Sequence, residues 1–259
     1  MNTIKASFKK IIPDPILAFW WSHLERRLKR ELARGVDAKE IFTKVYESED
    51  WGQSEAHGDK FYSGPGSHSR KMVDCYVSAV HGFLLSLDKK PDAVDLGCGD
   101  FAVGSQIRPY CNKYIAADVV EGLINRNKER YAKDSVEFCV LDIVNDELPD
   151  GDVVFLRQVL QHLTNSDIEK VVAKLSAKYR FLILTEHLPV SDRFVPNLDK
   201  ARGRDIRLYI RGKESGVVLT EHPFNLTVKQ TTVLCEVFED FMGRKGMLKS
   251  MIRTNLYEL

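Results

Sequence analysis

The sequence predicts an α/β fold: a mostly parallel sheet with helices wound onto both of its faces. Three observations predict it. Five short apolar runs alternate with stretches of helical length between residues 91 and 186. The first run opens into a glycine-rich turn. Each run delivers polar residues at or near its carboxyl end. Buried strands alternating with helices mean βαβ units, whose right-handed crossovers place helices on both faces of a parallel sheet. Ligands in such sheets bind beyond the carboxyl ends of the strands.

The strands are expected at Ala93–Leu96, Tyr114–Ala117, Val136–Leu141, Val153–Leu156 and Phe181–Leu184, with helices near 102–110, 120–131 and 166–178. The first strand gives Gly97, Gly99 and Asp100, the second Asp118 and the third Asp142. The fourth gives Arg157 and Gln158, and the fifth, ending before them, Glu186 and His187. Five strands aiming polar groups at one rim describe a pocket.

Ahead of this region, residues 1–45 read as a helical extension. A helix should start near Asp14, with Pro15 in its tolerated first turn. Leu17, Trp20, Trp21, Leu24, Leu28 and Leu32 then recur at three- and four-residue spacing, and residues 1–34 hold eight basic against three acidic residues. Two readings fit this stripe: a helix docked on the domain with its charges in water, or one in peripheral contact with an anionic membrane surface. Residues 46–259 form the main domain, with 187–227 as a substrate-facing insertion.

Composition narrows the function. With 259 residues the chain suits one α/β domain plus an extension. A net charge of +1 gives no push toward nucleic acid, and no nucleic-acid partner is expected. The five cysteines are scattered without a CxxC pair, which disfavours disulfides and a cysteine-rich zinc site and favours a reducing cytoplasm. No run of ~18 apolar residues occurs, so nothing is expected to span a bilayer.

The chemistry centres on Val94-Asp95-Leu96-Gly97-Cys98-Gly99-Asp100-Phe101-Ala102-Val103-Gly104, which follows a strand and opens a helix. Gly97 and Gly99 permit a tight turn and close approach of backbone to a ligand. Asp118 lies 23 residues beyond Asp95. A carboxylate ~20 residues past such a turn is placed to bind ribose hydroxyls. Both nicotinamide dinucleotides and S-adenosylmethionine use this arrangement. Ala102 stands where a dinucleotide motif has its third glycine. Asp100 is the stronger objection to a dinucleotide, because a carboxylate in the loop repels pyrophosphate and suits a sulfonium and an ammonium.

These segments resemble class I S-adenosylmethionine-dependent methyltransferases. VDLGCGDFAVG is similar to their first motif, Asp118 to their ribose-binding acid, and Asp142 to the acid near the adenine amino group, with Ile143 beside the ring. Residues 152–168 resemble their fourth-strand motif and the helix after it. The resemblance implies a Rossmann-like seven-stranded, mostly parallel sheet with an antiparallel last strand. Thr232–Val237 and Leu248–Thr254 are similar to its closing hairpin. It also implies S-adenosylmethionine as cofactor. Phe42–Tyr46, Trp51-Gly52 and Ser63-Gly64-Pro65-Gly66-Ser67 resemble methyltransferases of bacterial polysaccharide and natural-product pathways. That narrower likeness implies that Tyr46, Trp51, Gly64 and Ser67 close over the cofactor. Gly-Pro-Gly is turn chemistry in its own right.

The acceptor is read by elimination. No Asn/Asp-Pro-Pro-Tyr/Phe motif follows strand four, and no Pro-Cys nucleophile occurs, which disfavours methylation of bases. No tight acidic cluster marks a metal, and none is expected. The acceptor that the narrower resemblance implies is a sugar, glycan or related small anionic metabolite. A hydroxyl acceptor needs a general base, and His162, His187, Glu186 and His222 are the candidates. The basic segment 189–216 reads either as a solvated loop or as an anion-binding lid in which Arg204 and Arg207 contact the acceptor. The competing functions are a nicotinamide-dependent oxidoreductase and a non-catalytic cofactor-binding component of a biosynthetic complex.

Overall fold

The computed structural model describes residues 37–53, 61–243 and 246–259, without the side chains of 241–248. The predicted helix near 14–34 lies outside the described residues. The compact unit runs from Ala38 to Leu259.

Among the described residues three helical segments precede the sheet: α1 (Ala38–Glu47) and the single turn α2 (Pro65–His68), which leads into α3 (Arg70–Leu85). The alternation then follows as β1 (Ala93–Leu96), α4 (Gly104–Ile107), β2 (Tyr114–Asp118), α5 (Glu121–Arg130), β3 (Glu137–Val140), β4 (Val153–Arg157), α6 (Asn165–Lys178) and β5 (Phe181–Pro189). A small hairpin, β6 (Tyr209–Ile210) and β7 (Lys213–Glu214), interrupts an irregular stretch before the long pair β8 (Gln230–Gly243) and β9 (Gly246–Glu258). The main sheet has seven strands in the order β3-β2-β1-β4-β5-β9-β8. β1 to β5 are parallel, and β9 runs antiparallel to both β5 and β8. Among the described residues no helix is long and apolar enough to cross a membrane.

The alternation of side chains along each strand sorts the core into two layers. Val94, Leu96, Val154, Leu156, Leu182 and Leu184 pack with Ile168, Val171 and Leu175 of α6 on one face. Ala93, Val153, Phe155, Phe181 and Ile183 pack with Val73, Val80 and Leu84 of α3 on the other. α6 begins at a capping box: Thr164 Oγ1 accepts from the Asp167 N–H at 3.1 Å, and the Asp167 carboxylate accepts from the Thr164 N–H at 3.1 Å. The box satisfies two of the donors that a helix start leaves open.

β5 corrects one expectation. The apolar run ends at Leu184, yet the strand continues through Thr185, Glu186 and His187 to Pro189, paired throughout with β9. Its polar residues stay in the sheet because partners meet them there. Thr185 Oγ1 lies 2.8 Å from Thr254 Oγ1, and His187 Nε2 lies 2.9 Å from Ser250 Oγ. Alternation therefore sends Glu186 and His187 to opposite faces.

Candidate active site

The carboxyl ends of the parallel strands open on a cavity of about 430 Å³. That size suits a cofactor-scale ligand. β1 feeds its floor. Gly97 and Gly99 sit at φ +79° and +55°, in the left-handed region that glycine enters without cost. The turn is anchored to β2 by the N–H groups of Gly97 and Cys98, both donating to the Ala117 carbonyl at 2.8 and 2.9 Å. The close approach at Gly99 comes from the protein itself: a Cβ there would stand 2.4 Å from Ser63 Oγ.

Ser63 belongs to a strap, residues 61–69, that lies over the glycine turn. The strap is fastened at both ends. At the turn, the Asp100 N–H donates to Ser63 Oγ (2.7 Å), and the Ser63 N–H and His68 Nε2 donate to Asp100 Oδ2 (3.0 and 2.6 Å). Tyr46 adds a hydroxyl contact to Ser63 Oγ at 3.1 Å. At β4, Arg157 donates to the Gly66 carbonyl (2.5 Å) and to Ser67 Oγ (3.2 Å), with its guanidinium over the Tyr76 ring. Burial alone would raise the Asp100 carboxyl, but the His68 bond and charge and the Ser63 and Ala102 N–H groups outweigh it and hold it below the usual carboxylate range. Asp100 is thus a fastening for the strap. Held in the ionised form, it also lines the cavity.

Asp118, at the end of β2, is buried and lines the cavity. Its oxygens accept from the N–H groups of Gly99 (3.2 Å) and Val120 (3.1 Å). Burial pushes it up to about 6 in spite of them. Asp142 follows β3. Its oxygens accept from the Val144 N–H and the Asn145 amide, and buried Ile143 stands beside it. Asp95, bonded by the Tyr114 hydroxyl at 3.2 Å, is raised by burial to about 7, partly offset by that bond and by Arg157.

The cavity lining brings together Tyr46, Trp51, Gly64 and Ser67 from the strap side with Asp95, Gly97, Gly99, Asp118, Asp142 and Ile143 from the first three strands. Arg157, Gln158, His162, His187 and Arg204 line it as well. Gln158 takes φ +57° as the chain leaves β4, and its N–H donates to the Thr185 carbonyl at 2.7 Å. Glu186, Arg207 and His222 are absent from the lining.

Each absence has a physical reason. Glu186 points to the α6 face, where it accepts from the Leu160 N–H and burial lifts it to about 8. Arg207 is fully buried and donates to Asn165 Oδ1 (2.7 Å), the Leu198 carbonyl (2.9 Å) and the Leu163 carbonyl. It staples the irregular segment to the start of α6 and cannot reach an acceptor. His222 is exposed, and its carbonyl accepts from Asn197. Arg204 stays at the rim, paired with Asp50 at 2.9 Å. Arg202 is tied to Asp167 at 2.7 Å.

Sequence reasoning missed Glu239 and Asp240, which line the far end of the cavity from β8. It also missed His68. No local pattern marks them; only the pairing of β8 with β9 and β9 with β5 brings Glu239 to His187, 3.1 Å from Nε2. Among the described residues no group of three or more His, Cys, Asp or Glu could hold a metal.

A sequence-family model described as "Methyltransferase domain" matches residues 94–178, which span the glycine turn, Asp118, Asp142 and the whole of α6. No curated protein matches this sequence. Solved structures resemble the fold over most of the chain. N-methyltransferase NodS from Bradyrhizobium japonicum WM9, in complex with S-adenosyl-L-homocysteine, is 12% identical with a TM-score of 0.54, covering 84% of this chain and 98% of that one. The fold is the Rossmann-like methyltransferase fold. The N-terminal domain of EvdMO1, solved with S-adenosylhomocysteine and D-fucose, is 17% identical with a TM-score of 0.52 over 86% of this chain and 98% of that one. Human N-acetylserotonin methyltransferase, in complex with S-adenosylmethionine, is 17% identical with a TM-score of 0.51 over 92% of this chain and 66% of that one. The methyltransferase fold here carries its cavity at the strand ends, where that architecture binds ligands.

Proposed function

We propose that this chain is an S-adenosylmethionine-dependent methyltransferase that methylates a hydroxyl of a small, uncharged, hydroxyl-rich acceptor such as a sugar or a glycan unit. The observation that carries this reading is the charge of the cavity. Its lining carries Asp100, Asp142, Glu239 and Asp240, together with Asp118 and Asp95, which burial raises to about 6 and 7 and which a cationic ligand would draw back to the ionised form. The two arginines among the described lining residues are both tied, Arg157 to the strap and Arg204 to Asp50. An acidic cleft with no available cation among its described lining residues suits a ligand bearing a sulfonium and an ammonium and disfavours pyrophosphate.

The residues present fit the cofactor. Asp118 would take the ribose hydroxyls, Asp142 and Ile143 the adenine, and Asp95 with the glycine turn the amino-acid tail. Tyr46, Trp51, Gly64 and Ser67 would cover it. The bound cofactor supplies an activated methyl group, and the protein supplies position and exclusion of water. The acidic lining likewise favours a neutral acceptor over the anionic one read from the sequence, since the buried Arg207 lends nothing to an anion site.

Calorimetric titration tests the cofactor, with S-adenosylhomocysteine expected to bind and NADH expected not to. The reverse result would replace the reading with an oxidoreductase. A labelled-methyl screen against neutral sugars, amino sugars and nucleotide sugars tests the acceptor. Label in neutral sugars supports the proposal, and label confined to nucleotide sugars or to amines rejects its acceptor half.

A further inference from the structure

We propose that Cys75 and Cys235 form a redox-modification site: a thiol pair that closes to a disulfide by exchange with a small-molecule disulfide of the glutathione class, and in closing loosens the strap over the cavity. The proposal goes beyond the methyltransferase reading and stands without it.

The two thiols are 160 residues apart in sequence, and the fold brings them together. Cys75 lies on α3 and Cys235 on β8, and these elements pack against each other. Lys71, one turn before Cys75, donates to the Phe238 carbonyl of β8 at 2.9 Å, which fixes this face of the helix to the strand. On the strand side, the register with β9 slips between Val233 and Cys235. Such a bulge re-aims the side chains beside it. Leu234 and Cys235 are neighbours in sequence, yet both pack into the core layer beneath α3. Cys235 thus meets Cys75, and their side chains share a hydrogen bond, with the Thr254 hydroxyl bonded to Cys235 as well. Both thiols are free and half-buried, within reach of a small oxidant.

The pair sits beside the fastening of the strap. Tyr76 follows Cys75, and the Arg157 guanidinium lies 5.2 Å from the centre of its ring. The same guanidinium is within electrostatic reach of Cys235, and it donates to the Gly66 carbonyl and to Ser67 Oγ. A disulfide holds its sulfurs at about 2.05 Å, well inside any hydrogen-bonded separation. Closing the pair therefore draws α3 toward β8 at Cys75, shifts the Tyr76 ring beneath Arg157 and weakens the two bonds that tie the strap to β4.

The exchange runs in two steps. Burial pushes the Cys235 thiol up and withholds its thiolate, so Cys75 attacks first. Its sulfur bonds one sulfur of the small disulfide, the original sulfur–sulfur bond breaks, and one thiol leaves. The Cys235 sulfur then bonds Cys75 Sγ and expels the second thiol. The protein gives up two electrons and two protons, and the small disulfide takes them to become two thiols.

The test uses the full chain equilibrated in reduced and in oxidised glutathione. Mass spectrometry of an unreduced digest should show the Cys75 peptide joined to the Cys235 peptide after oxidation. Hydrogen exchange should then show the amides of residues 61–69 opening about tenfold faster in the oxidised protein than in the reduced one. Cys75→Ser and Cys235→Ser should each keep the reduced rate in both buffers, and if one of them does not fold the other supplies the control. Oxidised protein without the Cys75–Cys235 link overturns the proposal, as does linked protein whose strap exchanges at the reduced rate. No readout uses the cofactor. Wild-type protein that fails to bind S-adenosylhomocysteine sinks the methyltransferase reading and leaves the thiol pair standing, which keeps the two failures apart.

Discussion

Ser63 and Asp100 hold each other twice: the Asp100 N–H donates to Ser63 Oγ at 2.7 Å, and the Ser63 N–H donates to the Asp100 carboxylate at 3.0 Å. This reciprocal pair joins the strap to the glycine turn across 37 residues of sequence. It makes the roof of the cavity and its floor one mechanical unit, so that a change in the turn should be felt in the strap.

Gly99→Ala tests that coupling. The new Cβ would stand 2.4 Å from Ser63 Oγ on a residue already at φ +55°. The strap must lift or the turn must deform. A non-glycine residue in such a conformation costs on the order of 1–3 kcal/mol, before the two Ser63–Asp100 bonds are counted. Thermal denaturation should show a lower Tm, and calorimetry should show S-adenosylhomocysteine binding weakened by about tenfold or more. Unchanged affinity at lowered Tm would mean that the strap takes no part in holding the cofactor.

His68 gives the strap a dependence on pH. The bond from its ring holds Asp100 below the usual carboxylate range. A carboxyl with a depressed native pKa contributes stability above its unfolded value, and that contribution is lost as pH falls through the native value. His68→Ala should therefore lower Tm most near neutral pH, with the gap to wild type closing as the medium is acidified. Denaturation curves between pH 3 and 7 read this directly. A gap that widens on acidification would contradict the pairing.

The sheet was legible in the sequence because the apolar runs obey a period that only strands between helices explain. The cofactor side of the cavity was legible for the same reason: Asp118 and Asp142 sit where runs end. The other side was not. Glu186 and His187 looked like residues beyond a strand, because hydrophobicity stops at Leu184 while hydrogen bonding continues to Pro189. Glu239 lies 52 residues from His187 in sequence and meets it only through the register of β9 between them. Arg207 reads as a surface cation in any composition window. Its carbonyl partners at Leu163 and Leu198 are backbone atoms, which no pattern of side chains reveals.

Glu186 should make the protein less stable in alkali. Burial raises its carboxyl to about 8, and one of its oxygens has no partner. A raised native pKa means that the folded state holds the proton more tightly. The resulting stability is fully present below the unfolded carboxylate value and is lost as pH rises toward about 8. The loss is on the order of a few kcal/mol, at about 1.4 kcal/mol per pH unit. Glu186→Gln should match wild type near pH 4 and exceed it at pH 8. Denaturant titrations at both values test the sign, and equal stabilities at pH 8 would show that the carboxyl ionises freely in the folded protein.

Arg204 and Arg207 stand three residues apart, and the structure assigns them different work. Arg207 is fully buried with three acceptors satisfied by its guanidinium, two of them carbonyls at the start of α6 and in the irregular segment. Replacing it with methionine keeps much of the volume but strands those acceptors away from water. Stranding buried partners in this way costs on the order of 3 kcal/mol. Arg204 is half-exposed and pairs with Asp50 at the cavity rim, an interaction worth less than about 1 kcal/mol. Arg207→Met should therefore lower the denaturation midpoint sharply, while the protein that remains folded keeps the acceptor KM of wild type. Arg204→Ala should leave the midpoint nearly unmoved and raise the acceptor KM, because it loosens the contact between the irregular segment and the turn after α1. Both readouts are needed: a raised KM in Arg207→Met at full folding would return that residue to the acceptor site, and an unaltered KM in Arg204→Ala would remove the rim contact from acceptor binding.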